Sequence, residues 1–273
     1  MAARALKHKE ITGVKHWKFA VVLALLGSSV MAEAQSLPQV KVGASKDYVA
    51  VLMWHDVVAG QKEVWFDTTV AELKTQFGQI QKRKFNVISM ETLVKHLTEG
   101  TPLPIRPLVL TFDDNNLGLY TNAYPLLKQF HYPATFFVHT DFVGVTTSKA
   151  HCTWEQLKEM QSSGLVTVQG HTCSHPADMR QLPDVEIGKE LRNSLATITR
   201  HLGTKVIAFA YPEGKYDDRV ARAVAQSGYK IAFTEDWGNA GASRNLMVVH
   251  RYSIHKRFAQ SLNDVERAWQ GRH

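Results

Sequence analysis

Cysteine is nearly absent from this 273-residue chain, which contains only Cys152 and Cys173. Two thiols allow at most one internal bridge, and nothing in their spacing brings them within bonding distance. Three readings therefore stay open for Cys173: half of a bridge, a buried small residue, or an extra metal ligand. No run of like charge occurs, and no stretch interleaves aromatic residues with lysine or arginine, which argues against a nucleic-acid partner. No linker, low-complexity segment or repeat divides residues 47–270. The longest apolar run, residues 19–30, is too short to cross a bilayer comfortably. A helical His-Glu-x-x-His zinc motif is missing as well.

What is present is enough apolar material for one sizeable core, at 44% hydrophobic and 10% aromatic residues. Arg4, Lys7, Lys9, Lys15 and Lys18 precede the apolar run, and Ala32-Glu33-Ala34 follows it as a cleavage signal before Gln35. The expected organisation is a signal peptide over 1–34, an N-terminal extension over 35–46 and one folded domain over 47–273. Export, to a periplasm, follows from that reading. Without the first 34 residues the chain carries 27 basic and 23 acidic groups, a net charge of +4. That excess implies no more than weak attraction to anionic envelope polymer.

Short apolar runs alternate with helical patterns along the whole chain, which predicts parallel strands joined by crossover helices. The residues with chemistry to offer fall just after the runs: His55, Asp113, Asp114, His171, Pro212 and Asp236. Barrel enzymes place their sites at those carboxyl ends. Asp113-Asp114 closes the run Val109-Leu110-Thr111-Phe112. His171 and His175 follow Gly170, whose missing Cβ lets backbone approach an ion. One carboxylate and two imidazoles can grip a divalent cation and leave positions open. The other carboxylate is then available as a general base.

Thr111-Phe112-Asp113-Asp114, His171-Thr172-x-x-His175 and Ala210-Tyr211-Pro212-Glu213-Gly214 resemble the first three motifs of the polysaccharide deacetylases, the NodB-homology or carbohydrate esterase family 4. The resemblance covers residues 47–255 and implies an α/β fold, a distorted (β/α)7 barrel of a single domain. It implies hydrolysis of N-acetyl groups on sugars with one divalent ion, zinc first, with cobalt, nickel or iron as alternatives. Asp113 becomes the base, and Asp114, His171 and His175 the metal ligands. Tyr211 would offer a backbone N–H to the oxyanion. Asp236-Trp237 resembles the fourth motif, which supports the catalytic group and walls the acetyl methyl.

Met53-Trp54-His55-Asp56-Val57 is similar to the N-terminal segment of poly-β-1,6-N-acetylglucosamine deacetylases, whose histidine there is the acid. His55 is therefore preferred to His250 as proton donor, and Trp54 beside it is either core or a sugar platform. Three departures stand out: Asn115 where the family often has glycine, Glu213 in place of tyrosine, and Ala210 in place of the arginine that orients the base. Arg251 is the candidate substitute for that arginine. The expected enzyme is a monomeric polysaccharide N-deacetylase acting on biofilm poly-β-1,6-GlcNAc, with chitin oligomers or peptidoglycan as alternative substrates. A catalytically dead sugar-binding barrel and a small-substrate amidase or esterase are the rivals.

Overall fold

The computed structural model describes residues 36–41, 48–255 and 257–270. The expected signal peptide lies outside the described residues, as do residue 35 and residues 42–46 of the expected extension. In chain order the elements are β1 (Ala50–Trp54), β2 (Val57–Val58), β3 (Thr68–Thr69), α1 (Val70–Lys82), β4 (Asn86–Val87), α2 (Met90–Glu99) and β5 (Pro107–Phe112). They continue with α3 (Tyr124–Phe130), β6 (Ala134–Val138), α4 (Trp154–Ser162), β7 (Val166–Gly170), α5 (Asp184–Leu202), β8 (Ala208–Ala210) and α6 (Asp218–Gln226). β9 (Ile231–Trp237), β10 (Val249–Ser253) and α7 (Phe258–Gln270) complete the described chain.

All strand pairings are parallel, in the neighbour order β1-β10-β9-β8-β7-β6-β5, and β5 returns to β1 to close a seven-stranded barrel. β4 pairs with the first residues of β5, and β2 and β3 form a separate two-stranded sheet. β1, β5, β6 and β8 are buried at every position, which is why they read as unbroken apolar runs rather than alternating ones. Phe112, Phe136, Phe137, Phe209 and Phe233 are fully buried, each burial contributing about 1.5–3 kcal/mol.

The helices begin and end where local chemistry satisfies their free backbone groups. Thr69 with Glu72, and Thr153 with Gln156, form reciprocal capping boxes on α1 and α4. Gly100 and Gly203 adopt left-handed geometry, with φ of 76° and 64°, and close α2 and α5. No helix among the described residues is long and apolar enough to cross a membrane.

One strand boundary and one buried side chain bear on the site. The last barrel strand spans Val249–Ser253, so Arg251 sits in mid-strand. A buried cation breaks the apolar pattern by which a strand is recognised. Trp54 belongs wholly to the core: it is fully buried, stacks on Phe112 at 5.3 Å and donates its indole N–H to Gln76 at 2.9 Å. It offers no face to a sugar.

Candidate metal and catalytic site

The barrel collects chemistry at one end because each strand hands over to its loop there. His55 follows β1, Asp113 and Asp114 follow β5, His139 follows β6, and His171 follows β7. Asp114, His171 and His175 form the group able to hold a metal among the described residues, with one donor atom from each lying within 4.8 Å of the others. Asp114 Oδ1 is 3.4 Å from His171 Nε2 and 3.6 Å from His175 Nε2.

The residues present fit a cation. His171 Nδ1 lies 2.8 Å from the Ala210 carbonyl, an acceptor only, so Nδ1 carries the hydrogen and Nε2 keeps its lone pair for the site. The Glu190 carboxylate takes the amide N–H groups of Cys173 (2.8 Å) and Ser174 (2.9 Å) and the Ser174 hydroxyl (2.6 Å). Those bonds pin the loop between the two histidines. Asp114, Asn115, Thr172 and His175 all have left-handed backbone, at φ of 73°, 41°, 68° and 52°. Such geometry costs on the order of 1–3 kcal/mol per residue and clusters where function demands it. Asn115 thus occupies the conformation expected of it, and its Oδ1 accepts the His139 amide at 3.2 Å.

Asp113 is held differently. Arg251 is fully buried and meets it with a two-pronged bridge, Nη1 to Oδ1 at 2.9 Å and Nη2 to Oδ2 at 2.8 Å. Arg251 also donates Nε–H to the Thr234 carbonyl at 2.9 Å and reaches Thr111 Oγ1 at 3.3 Å. Burial alone would push the Asp113 carboxyl up. The Arg251 guanidinium, helped by His171 and His55, reverses this and holds it below the ordinary value. Asp114 is likewise driven well below its usual value, against burial, by His171, His55 and His175. Both carboxylates are therefore ionised at neutral pH.

The histidines divide. Burial lowers His175, and His171 adds to that; in His171 the contacts to Asp114 and Asp113 outweigh burial and raise it. His55 Nδ1 sits 3.1 Å from His255 Nε2, and its ring packs against Phe66 with centroids 5.1 Å apart. His250 instead lies beside Gly238 and donates its backbone N–H to Ser243.

Residues 100–232 match the polysaccharide deacetylase family model. That stretch is a polysaccharide deacetylase domain. The poly-β-1,6-N-acetyl-D-glucosamine N-deacetylase of Staphylococcus epidermidis is 26% identical over 188 residues, covering 65% of this chain and 65% of that protein. The protein of that name from Escherichia coli K12 is 24% identical over 265 residues, covering 80% of this chain and 39% of its own length. The chain therefore spans less than two thirds of either relative. Among solved structures, Streptococcus pyogenes deacetylase PplD in complex with acetate superposes with a TM-score of 0.74 at 26% identity, over 80% of this chain and 98% of that one. IcaB from Ammonifex degensii gives 0.71 at 26% identity, over 82% and 97%.

The motif residues expected to meet the substrate make the following contacts. The Tyr211 amide already donates to the Phe233 carbonyl at 3.1 Å, and its hydroxyl to the Met247 carbonyl at 2.8 Å. Its N–H is thus not free for an oxyanion. Asp236 accepts the Tyr216 hydroxyl at 2.7 Å on the exposed end of β9. Trp237 is 38% exposed and packs edge-on against Tyr252 at 4.9 Å. Cys152 and Cys173 are free, buried thiols, pushed by burial up to about 12 and about 11.

Three further side chains tie the strand-end loops together. His139 Nε2 lies 4.0 Å from Asp114 Oδ1, and burial pushes His139 down to about 3. It directly follows a strand, so the rule that picked out His55 and His171 applied to it too. His255 lies two residues past the end of β10, beyond any motif, and only barrel closure brings it to His55. Lys149 bridges Asp56 Oδ2 (2.8 Å) and Asp67 Oδ1 (2.6 Å), joining three loops that no local pattern connects.

Proposed function

We propose that this chain is an exported, metal-dependent N-deacetylase of a GlcNAc-containing polysaccharide, with poly-β-1,6-GlcNAc as the preferred substrate. The observation that carries this reading is the pairing of a three-point cation site with a separate, ionised carboxylate held in a fixed orientation by Arg251. The names of the relatives support the choice of polymer. A polar groove of 710 Å³, lined by Asp56, Lys62, Glu63, Asn122 and Lys149, includes the residue that follows His55 in the chain, and its polar lining suits a sugar.

Asp114, His171 and His175 would hold the ion, and one oxygen with two nitrogens suits zinc. When bound, the ion supplies Lewis-acid polarisation of the acetyl carbonyl. Asp113 accepts a proton from the attacking water as its oxygen bonds to the carbonyl carbon. Arg251 keeps both Asp113 oxygens from rotating and keeps the group anionic. His55 gives a proton to the departing nitrogen as the C–N bond breaks, so acetate and a free amine leave. The absence of a free amide at Tyr211 leaves oxyanion stabilisation to the rest of the site. Residues 1–34 would direct export and be removed after Ala34; N-terminal sequencing of the exported protein beginning at Met1 would refute that.

The test is acetate release from a panel of N-acetylated glycans of increasing length, with chelator and zinc add-back. Release that rises with chain length, stops with chelator and returns with zinc is expected. Tight saccharide binding without acetate would replace the enzyme by a sugar-binding barrel. Release independent of length would point to a small-substrate amidase.

A further inference from the structure

The proton-donor reading leaves one side chain of the same cluster unused. His255 follows β10, with its Nε2 3.1 Å from His55 Nδ1 and the ring centroids 4.9 Å apart. Two imidazole nitrogens at that distance share a single hydrogen, one donating and the other accepting. The surroundings decide which. His255 packs edge-on against Trp65 at 5.4 Å and Phe66 at 6.4 Å, and borders Gln76 of α1 and Phe258 of α7. The titratable and charged groups facing it are His55, Asp113 beyond it, and Lys62, itself paired with Glu72 of α1 at 2.8 Å. Burial first, then His55, push His255 down to about 3, against the weaker pull of Asp113 and the Phe66 backbone. His255 is uncharged near neutral pH and has a lone pair to offer.

We propose that His255 is the positioning residue for His55: its neutral Nε2 accepts the His55 Nδ1–H, fixing the tautomer and leaving His55 Nε2 for the leaving nitrogen. The inference rests on the reading of His55 as proton donor. In the charged form both His55 nitrogens carry hydrogen. When the C–N bond breaks, its electron pair goes to nitrogen. The His55 Nε2–H bond breaks, its pair stays on Nε2, and the proton forms the new N–H of the amine. The Nδ1–H stays covalently bound to His55 and hydrogen-bonded to His255 Nε2 throughout, and no proton crosses between the rings. A carboxylate at the same place would orient His55 equally well but would also stabilise its charged form and weaken it as an acid. A neutral acceptor orients without that cost.

Two measurements test this on the zinc-loaded protein. Selective ¹⁵N-histidine NMR reads the tautomer directly: His55 with a protonated Nδ1 is expected, and an unprotonated Nδ1 in neutral His55 would overturn the proposal. Kinetics read the consequence. His255→Phe should lower kcat about 10- to 100-fold with KM within about twofold, because general-acid catalysis contributes about 10²–10⁴-fold in all. His255→Asn, which restores an acceptor, should recover most of the loss. His255→Glu should move the alkaline limb of the pH profile up by about one unit or more. Wild-type kcat and an unmoved pH profile across all three variants would overturn the proposal. If the wild-type protein released no acetate from any glycan, the functional reading would fall, while the NMR experiment would still decide the bond between the two rings.

Discussion

Replacing Arg251 with methionine keeps most of the side-chain volume and removes the charge. The structure gives the consequence. Arg251 is fully buried, Asp113 is 1% exposed, and two hydrogen bonds at 2.9 and 2.8 Å join them. Removing one partner of such a pair strands a charge away from water and costs about 3–5 kcal/mol. The Thr234 carbonyl loses its donor too, which adds to the loss. The pH dependence follows from the direction of the shift. With Arg251 in place the folded Asp113 titrates below its unfolded value, so its contribution is present above about pH 4 and is lost as pH falls through the folded pKa. Without Arg251, burial raises the folded pKa above the unfolded one, and the penalty grows as pH rises. Urea denaturation of chelator-treated protein, which removes stabilisation by bound metal, should therefore show the variant furthest below wild type at pH 7 and closer to it at pH 5. The acidic limb of the activity profile should move upward, because the base must be ionised. Combining Arg251→Met with Asp113→Leu should be less destabilising than Arg251→Met alone. A gap of the same size at both pH values, with an unmoved acidic limb, would refute the argument.

Glu190→Ala removes the anchor of the loop between His171 and His175, and zinc titration should show affinity weakened about 10- to 100-fold; unchanged affinity would mean the loop holds itself. Lys149→Met leaves Asp56 and Asp67, 8% and 0% exposed at the side chain, without their shared cation, and should cost about 3 kcal/mol or more in urea at pH 7. A loss under about 1 kcal/mol would show that water replaces the ammonium. Gly118→Ala would place a Cβ 2.2 Å from the Val57 carbonyl oxygen, backbone that cannot swing aside, so a loss of about 1–3 kcal/mol or more is expected by thermal melting. Cys152 and Cys173, buried and raised to about 12 and about 11, should resist a thiol reagent at pH 8 until the chain unfolds; rapid labelling of the native protein would contradict their burial.

The barrel and the three residues able to hold a cation were legible in local patterns. Strands buried on both faces must be apolar, helices advertise their caps, and the two carboxylates and two histidines follow strands at short range, so each signal is local. The tertiary structure decided the rest. Arg251 meets Asp113 across 138 positions, and His255 meets His55 across 200, because β10 pairs with β1 only when the barrel closes. It also committed the Tyr211 amide to β9, a bond that depends on where the ladder stops rather than on the motif. Local patterns report which residue types sit at a strand end. Which of them touch is set by barrel closure, a long-range property that no short stretch of chain contains.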